Sequence, residues 1–214
     1  KKDRRDEFDG KRVEGYNDIY VTREGRQVYE PFFHRTFWYV RVAVKATQPV
    51  TLRGLGYRWT SYGFPEQGSF SCSDATLNRI WRTGWYTARL CAHESYEDCP
   101  YYEQLQYVGD TRIQAMVTYY ASGDPRLPAN AIRHLNASRL PEGLTYSRYP
   151  SHVYQVIPGF SLIWVLMLDD YYLHTGDLSL LRECAGGVHS VLRFFEDYRT
   201  EQGFLANVPY WNFH

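Results

Sequence analysis

The sequence lacks several features that would assign it to a particular class of protein. Its 24 basic and 24 acidic residues cancel, so no excess positive charge favours a nucleic acid or an anionic membrane surface as partner. No apolar run reaches the length of a membrane span. The opening residues, KKDRRDEF, have no apolar stretch after their charges and do not form a signal peptide. A neutral partner is therefore expected, and both the periplasm and the cytoplasm remain open as locations.

Cysteine is scarce, and its spacing does not indicate a metal site or a disulfide framework. The four cysteines, Cys72, Cys91, Cys99 and Cys184, form no Cys-x-x-Cys pair, which is the spacing typical of zinc sites. The seven histidines are scattered and form no His-Glu-x-x-His motif. The sequence therefore predicts no metal site, and it predicts that the cysteines are reduced.

Tyrosine, in contrast, is abundant. There are 20 tyrosines within an aromatic content of 17%, and each buried tyrosine hydroxyl needs a hydrogen-bond partner. This exceeds what the core needs, so some rings are expected to face a ligand or a neighbouring part of the protein. The length of 214 residues and the 44% hydrophobic content suffice for one large domain or two small ones.

Residues 11–60 have the composition of β-strands. Three segments, YNDIYV, FWYVRVAVKA and VTLRGLGYRW, are rich in Val, Tyr, Phe and Trp, alternate partly in polarity and are separated by turn signals. Such antiparallel strands are too few for a closed sandwich. We therefore predict that residues 1–70 form the C-terminal part of a β-sandwich domain and a linker.

From about residue 73 the apolar residues recur with the period of a helix. One stripe has intervals of three and four and comprises Leu77, Trp81, Trp85 and Ala88. Ser73 or Asp74 can cap the first turn. Further helical patterns follow up to residue 200, interrupted by a segment rich in Pro and Tyr at 141–157.

An internal repeat organises these helices. YYASGDPRLPANAI at 119–132 and YYLHTGDLSLLREC at 171–184 share a Tyr-Tyr pair, a spacer, a Gly-Asp pair and an apolar run. The glycines can end one helix and the aspartates can cap the next, so each copy is one helical hairpin. Stacked hairpins bury their faces against neighbours. We therefore predict the N-terminal part of an α/α toroid over residues 71–214, incomplete because two copies cannot close a ring.

The loop EDCPYYEQLQYVGD, residues 97–110, concentrates acids and aromatic rings between two helices. The Cys-Pro turn lets Asp98, Glu103 and Asp110 converge, and adjacent carboxylates raise the pKa of at least one of them. A raised carboxyl pKa is what a general acid requires at neutral pH. With Tyr107 and the other tyrosines supplying flat faces, the loop indicates a carbohydrate site.

Each of these acids also has a purely structural interpretation. Asp110 lies after a glycine at the start of a helix, which by itself fits an N-cap better than a ligand group. Asp98 precedes Cys-Pro and can form an Asx turn. Glu103, taken alone, is typical of a surface residue. Composition and spacing leave these alternatives open.

A longer segment resembles a known family. ESYEDCPYYEQLQYVGDTRIQA is similar to the catalytic-loop signature of the α-L-rhamnosidases of glycoside hydrolase family 78, which is written D-C-P…E…G-D before a helix. The segments EGYNDIYV, FFHRTFWYVRVAV and GFSLIWVLMLDDYYLHTGD also resemble that family, so the similarity extends over nearly the whole chain. The resemblance implies an (α/α)6 toroid preceded by β-sandwich domains. It also implies inverting hydrolysis of terminal α-L-rhamnosyl groups, with no cofactor and, in most members, no required metal.

The resemblance also implies roles for individual residues. Glu103 corresponds to the general acid, and Asp98 and Asp110 correspond to carboxylates that bind rhamnose hydroxyls. Tyr107 stands where many members have a Trp that packs on the sugar. Many members have an Arg-Asp-Glu-Arg stretch and a Gly-Trp where this chain has YYEQLQY and is one residue shorter, which affects the contacts expected around Glu103. Trp211 and the loop TYSRYPSHVYQ are expected to line the same pocket, although Trp211 fits a core position equally well.

Inversion needs a second carboxylate that activates water on the opposite face of the sugar, about 6.5–9.5 Å from the acid. No segment of this sequence matches the Glu that serves as the base in the family. Since the chain also begins without Met, we expect a fragment that is inactive or nearly so by itself.

Two other functions remain compatible with the sequence. One is a different toroidal enzyme that acts on carbohydrate, such as another inverting glycosidase or a polysaccharide lyase. The other is a carbohydrate-binding module without catalysis. Loss of hydrolysis on substitution of Glu103 would distinguish a glycosidase from a polysaccharide lyase and from a binding module.

Overall fold

The computed structural model describes residues 15–210, which contain five helices. They are α1 (Ala75–Leu90), α2 (Val108–Ala121), α3 (Arg126–Ala137), α4 (Pro158–Thr175) and α5 (Ser179–Glu196). The chain divides into two compact units, of which the first ends at His34 and the second, with all five helices, begins at Arg35. Within the described part, no helix combines the length and apolar character that crossing a membrane requires. Trp211 lies outside the described residues.

The repeat predicted from the sequence forms two hairpins of the same construction. Gly123 after α2 and Gly176 after α4 both have φ of 70°, the left-handed conformation that glycine adopts most easily. The next residue in each copy is an aspartate whose carboxylate accepts a hydrogen bond from the amide two residues further on, at 3.0 Å for Asp124 and 2.8 Å for Asp177. The predicted hairpins α2–α3 and α4–α5 are therefore confirmed.

The two hairpins lie side by side in two layers. Helix α2 packs against α4, and α3 packs against α5. An ion pair spans each layer: Arg112 Nε lies 2.7 Å from the Asp170 carboxylate, and Arg133 Nη2 lies 2.9 Å from the Glu183 carboxylate. Helix α1, capped by Asp74 as predicted, packs against α2. The loop between α1 and α2 thus begins and ends on adjacent helices.

Trp164 is at the centre of the hydrophobic core. Its side chain is fully buried in α4, and its indole N–H donates a hydrogen bond of 3.1 Å to the Ile132 carbonyl of α3. Helix α5 passes close to this ring at Gly187, where a Cβ atom would come within 2.8 Å of Trp164. Glycine at this position lets α5 approach the other helices closely. The buried core also includes Leu135, Leu144, Met167, Leu180 and Val191.

The β-strands predicted between residues 16 and 59 are absent from the described structure. Residues 15–74 contain no helix and no strand, and many of their apolar side chains are exposed, such as Trp38 (77%), Leu55 (68%) and Tyr57 (80%). A strand is stabilised by hydrogen bonds to a neighbouring strand and by a buried face, and this segment has neither. The prediction of a β-sandwich in residues 1–70 is therefore not supported, because Val and aromatic content alone does not supply a pairing partner.

Candidate active site

The connection between α1 and α2, residues 91–107, is folded by short-range hydrogen bonds. The Asp98 amide donates to the Leu105 carbonyl at 2.8 Å, and the Asp98 carboxylate accepts from the Leu105 amide at 2.9 Å. The Glu97 amide donates to the Cys91 carbonyl at 2.8 Å. Asp98 therefore closes a loop of several residues rather than forming the Asx turn that the sequence left open.

Glu103 lies at the exposed tip of this loop. Glu103 and Gln104 both have φ of 55°, a left-handed conformation that is uncommon for residues other than glycine and that is concentrated at functional sites. The Gln104 amide donates to the Tyr102 carbonyl at 2.6 Å, and its side-chain amide donates to the Pro100 carbonyl at 3.2 Å. The turn thus leaves Glu103 exposed, where a ligand can reach it.

The three predicted carboxyl groups lie close enough to influence one another. A hydrogen bond with the Asp98 carboxyl raises the pKa of Glu103, and partial burial and the Asp98 charge add to this effect. Burial raises the pKa of Asp110, with a smaller contribution from the Asp98 charge. Glu103 therefore retains its proton to higher pH than an isolated glutamate does, which suits a proton donor.

Arg148 joins this cluster from the segment between α3 and α4. Its backbone forms an antiparallel bridge with that of Tyr107, and its Nη1 donates a hydrogen bond of 2.6 Å to the Tyr107 hydroxyl. Its guanidinium carbon lies 5.2 Å from the centre of the Tyr107 ring. Arg148 was not predicted as a site residue, although the loop TYSRYPSHVYQ that contains it was expected to line the pocket.

Asp110 is not the N-cap of α2. The helix begins at Val108, so Tyr107 occupies the cap position, and no side chain caps the helix there. Asp110 lies in the first turn, where a carboxylate is favoured by the helix dipole. The N-cap interpretation of Asp110 is therefore wrong, and its half-buried side chain lies in the same cluster as Asp98.

Buried hydrogen bonds fix the base of the site. The buried Gln106 side chain donates to the Tyr149 carbonyl at 2.8 Å, and its backbone carbonyl accepts from the Tyr149 amide at 3.2 Å. The Val108 amide donates to the Ser147 carbonyl at 3.0 Å. Because these bonds lie on both sides of the Tyr107–Arg148 bridge, the two loops that form the cluster are held in a fixed register.

The chain is similar to one family model and to solved structures. Residues 65–211 match the family described as bacterial alpha-L-rhamnosidase 6 hairpin glycosidase domain. The crystal structure of a GH78 family rhamnosidase of Bacillus sp. GL1 is 34% identical, with a TM-score of 0.67, over 72% of this chain and 16% of that one. The rhamnosidase from Klebsiella oxytoca with rhamnose bound is 20% identical, with a TM-score of 0.61, over 67% of this chain and 29% of that one.

At 20% identity, the similarity to the Klebsiella oxytoca structure supports the fold alone. The chain spans less than a third of the length of either solved structure. No curated protein matches the chain.

Proposed function

The chain belongs to the family of bacterial α-L-rhamnosidase six-hairpin glycosidase domains, and we propose that its α1–α2 loop is part of an active site that removes terminal α-L-rhamnosyl groups from rhamnosylated glycosides or polysaccharides. The observation that carries this proposal is the pairing of Glu103 with Asp98, which raises the pKa of an exposed carboxyl group. An exposed carboxyl that keeps its proton can transfer it to a bound substrate.

In the proposed reaction Glu103 is the general acid. Its carboxyl proton passes to the glycosidic oxygen as the bond between that oxygen and the sugar's anomeric carbon breaks. A water molecule attacks the anomeric carbon from the opposite face and loses its proton to a general base. The products are free rhamnose with inverted configuration and the alcohol that carried it.

Asp98, Asp110 and Tyr107 are proposed to bind the sugar. Ionised carboxylates accept hydrogen bonds from hydroxyls, and the cluster contains two aspartates close to the acid. The Tyr107 ring supplies an apolar surface, although the Arg148 guanidinium lies over it. Trp211 completes the proposed sugar-binding set and lies outside the described residues.

The general base is proposed to come from a part of the protein beyond the described residues. Asp98 shares a hydrogen bond with Glu103, which leaves no room between the two carboxyl groups for the attacking water, whereas inverting enzymes separate them by about 6.5–9.5 Å. We further propose that residues 71–214 form the first hairpins of the toroid. In that arrangement a later hairpin faces the α1–α2 loop and supplies the base.

Substitution of Glu103 tests the function. In a longer form of the protein that hydrolyses an aryl α-L-rhamnoside, Glu103→Gln is expected to lower kcat by about 10²–10⁴-fold, the usual contribution of general acid catalysis. Glu94→Gln is the matched control, because Glu94 is an exposed glutamate of the same loop, and it is expected to leave kcat unchanged.

Two results would contradict the proposal. Activity retained by Glu103→Gln would indicate a different chemistry, such as that of a polysaccharide lyase. Rhamnose binding without any hydrolysis by the unaltered longer protein would indicate a carbohydrate-binding module.

A further inference from the structure

Arg148 and Tyr107 behave structurally as one unit beside the proposed acid. The backbone bridge fixes the spacing of their chains, and the short hydrogen bond and the ring contact fix their side chains. Both side chains are partly buried, so water competes less for these contacts than it does at an open surface. The position of the Tyr107 hydroxyl is thus determined by Arg148.

Tyr107 in turn interacts with Glu103. A tyrosine hydroxyl has one proton to donate and can accept as well. Because the Tyr107 oxygen accepts from Arg148, its own proton is available for the Glu103 carboxyl, and the interaction with Tyr107 lowers the Glu103 pKa. Hydrogen bonds in a chain polarise one another, and a charged donor strengthens the effect.

We propose that Arg148 and Tyr107 form a positioning relay for the proton donor, in which Arg148 holds the Tyr107 hydroxyl and that hydroxyl holds the Glu103 carboxyl toward the glycosidic oxygen. This inference rests on the function proposed for Glu103. When the Glu103 proton has passed to the leaving oxygen, the relay stabilises the carboxylate that remains, while Tyr107 and Arg148 keep their own protons. Arg148 is a positioning residue that acts through Tyr107 and Glu103, and Tyr107 positions Glu103 in addition to its proposed contact with the sugar.

The surroundings of Arg148 support this role. Its Nε is buried without a hydrogen-bond partner in the described structure, and a buried donor in that state costs about 1–3 kcal/mol. Arg133, which links α3 to α5, instead uses both Nε and Nη2 to bind Glu183. Arg148 is therefore poorly explained as a structural ion pair.

The groups around Glu103 have opposing effects on its pKa. The Asp98 hydrogen bond and charge raise the Glu103 pKa, whereas the Arg148 charge and the Tyr107 hydrogen bond lower it. Cys99 and Asp110 interact with Asp98 in turn. Removing the relay therefore leaves the raising effect of Asp98 unopposed.

A titration of Glu103 tests the relay without needing turnover. In protein labelled with ¹³C-glutamate, the Glu103 signal is assigned by its loss in Glu103→Gln and followed against pH by NMR. Arg148→Met is expected to raise the Glu103 pKa by about one unit, the size of effect that one adjacent charge exerts. Tyr107→Phe, which removes only the hydroxyl, is also expected to raise the Glu103 pKa.

Two further variants define the comparison. Arg148→Lys keeps the charge without the planar donor group, so its Glu103 pKa is expected to lie between those of the unaltered protein and Arg148→Met. Arg182→Met removes an exposed arginine from α5 and is expected to leave the Glu103 pKa unchanged.

An unchanged Glu103 pKa in Tyr107→Phe or in folded Arg148→Met would overturn the relay. Tyr107→Phe decides the matter by itself if Arg148→Met does not fold, since it keeps the ring and its packing. Failure of the proposed function has a separate signature, namely no rhamnoside hydrolysis by the unaltered longer protein, whatever the Glu103 titration shows.

Discussion

Glu103 combines two properties that ordinarily exclude each other, exposure to solvent and a tendency to keep its proton. An unperturbed glutamate has a pKa of about 4.3 and is ionised at neutral pH. Here the hydrogen bond with Asp98 is the main cause of the raised pKa, so the effect does not require deep burial. The proposed acid is therefore accessible to a glycoside and keeps its proton to higher pH than an isolated glutamate does.

Asp98→Asn is expected to lower the Glu103 pKa. The amide removes the negative charge and can donate a hydrogen bond to the Glu103 carboxylate, and both changes favour the ionised form. The alkaline limb of kcat/KM, which reports loss of the acid's proton, should therefore move to lower pH in the hydrolytic form of the protein. Asp197→Asn, at an exposed site after α5, should leave the limb in place, and an unmoved limb in Asp98→Asn would contradict the assignment.

The loop's acids were predictable from the sequence, but their surroundings were not. Asp98, Glu103 and Asp110 lie within one short segment, residues 97–110, so the turn that brings them together is encoded locally. Arg148 belongs to a segment beyond α3, and its approach to Tyr107 depends on how the hairpins pack. No local pattern marks a residue whose role comes from such a distant contact.

At the scale of elements, the helices depend on local signals, whereas the predicted strands depend on distant contacts. A glycine with positive φ and a capping aspartate act within a few residues. The turn between the two helices of a hairpin can therefore be predicted from a Gly-Asp pair such as Gly176-Asp177. A strand needs a partner elsewhere in the chain. Residues 37–46 carry the composition of a strand but have no such partner in the described structure.

Gly187→Ala is expected to lower the free energy of unfolding by about 1–3 kcal/mol, the usual cost of overpacking a core. The new methyl group would lie 2.8 Å from the buried Trp164 ring, so α5 would have to shift. Gly186→Ala is the matched control, because the adjacent position is exposed and open; it should raise helix stability by up to about 1 kcal/mol. Urea unfolding of both variants measures the difference, and equal effects would contradict the packing of α5 against Trp164.

At the scale of the whole molecule, α1 differs from the other four helices in its burial, and it leaves apolar side chains exposed. No residue of α1 is buried, and Leu77, Ile80 and Tyr86 are exposed on it. Leu77 and Ile80 are three residues apart and lie on neighbouring positions of the helix surface, so this part of α1 is a candidate contact surface. The described residues provide two complete hairpins and α1, whereas the family is described by six hairpins. Further hairpins packed in the same way would cover the apolar surface of α1.

We therefore expect the 214-residue chain and a longer, six-hairpin form of the protein to differ in two measurements. The chain alone should bind a hydrophobic dye and fail to hydrolyse an aryl α-L-rhamnoside, because apolar side chains of α1 are exposed and Asp98 lies too close to Glu103 to serve as the base. The longer form should bind less dye per molecule and turn over the substrate. Hydrolysis by the 214-residue chain would place the base within it, whereas dye binding that does not fall in the longer form would show that α1 faces solvent there too.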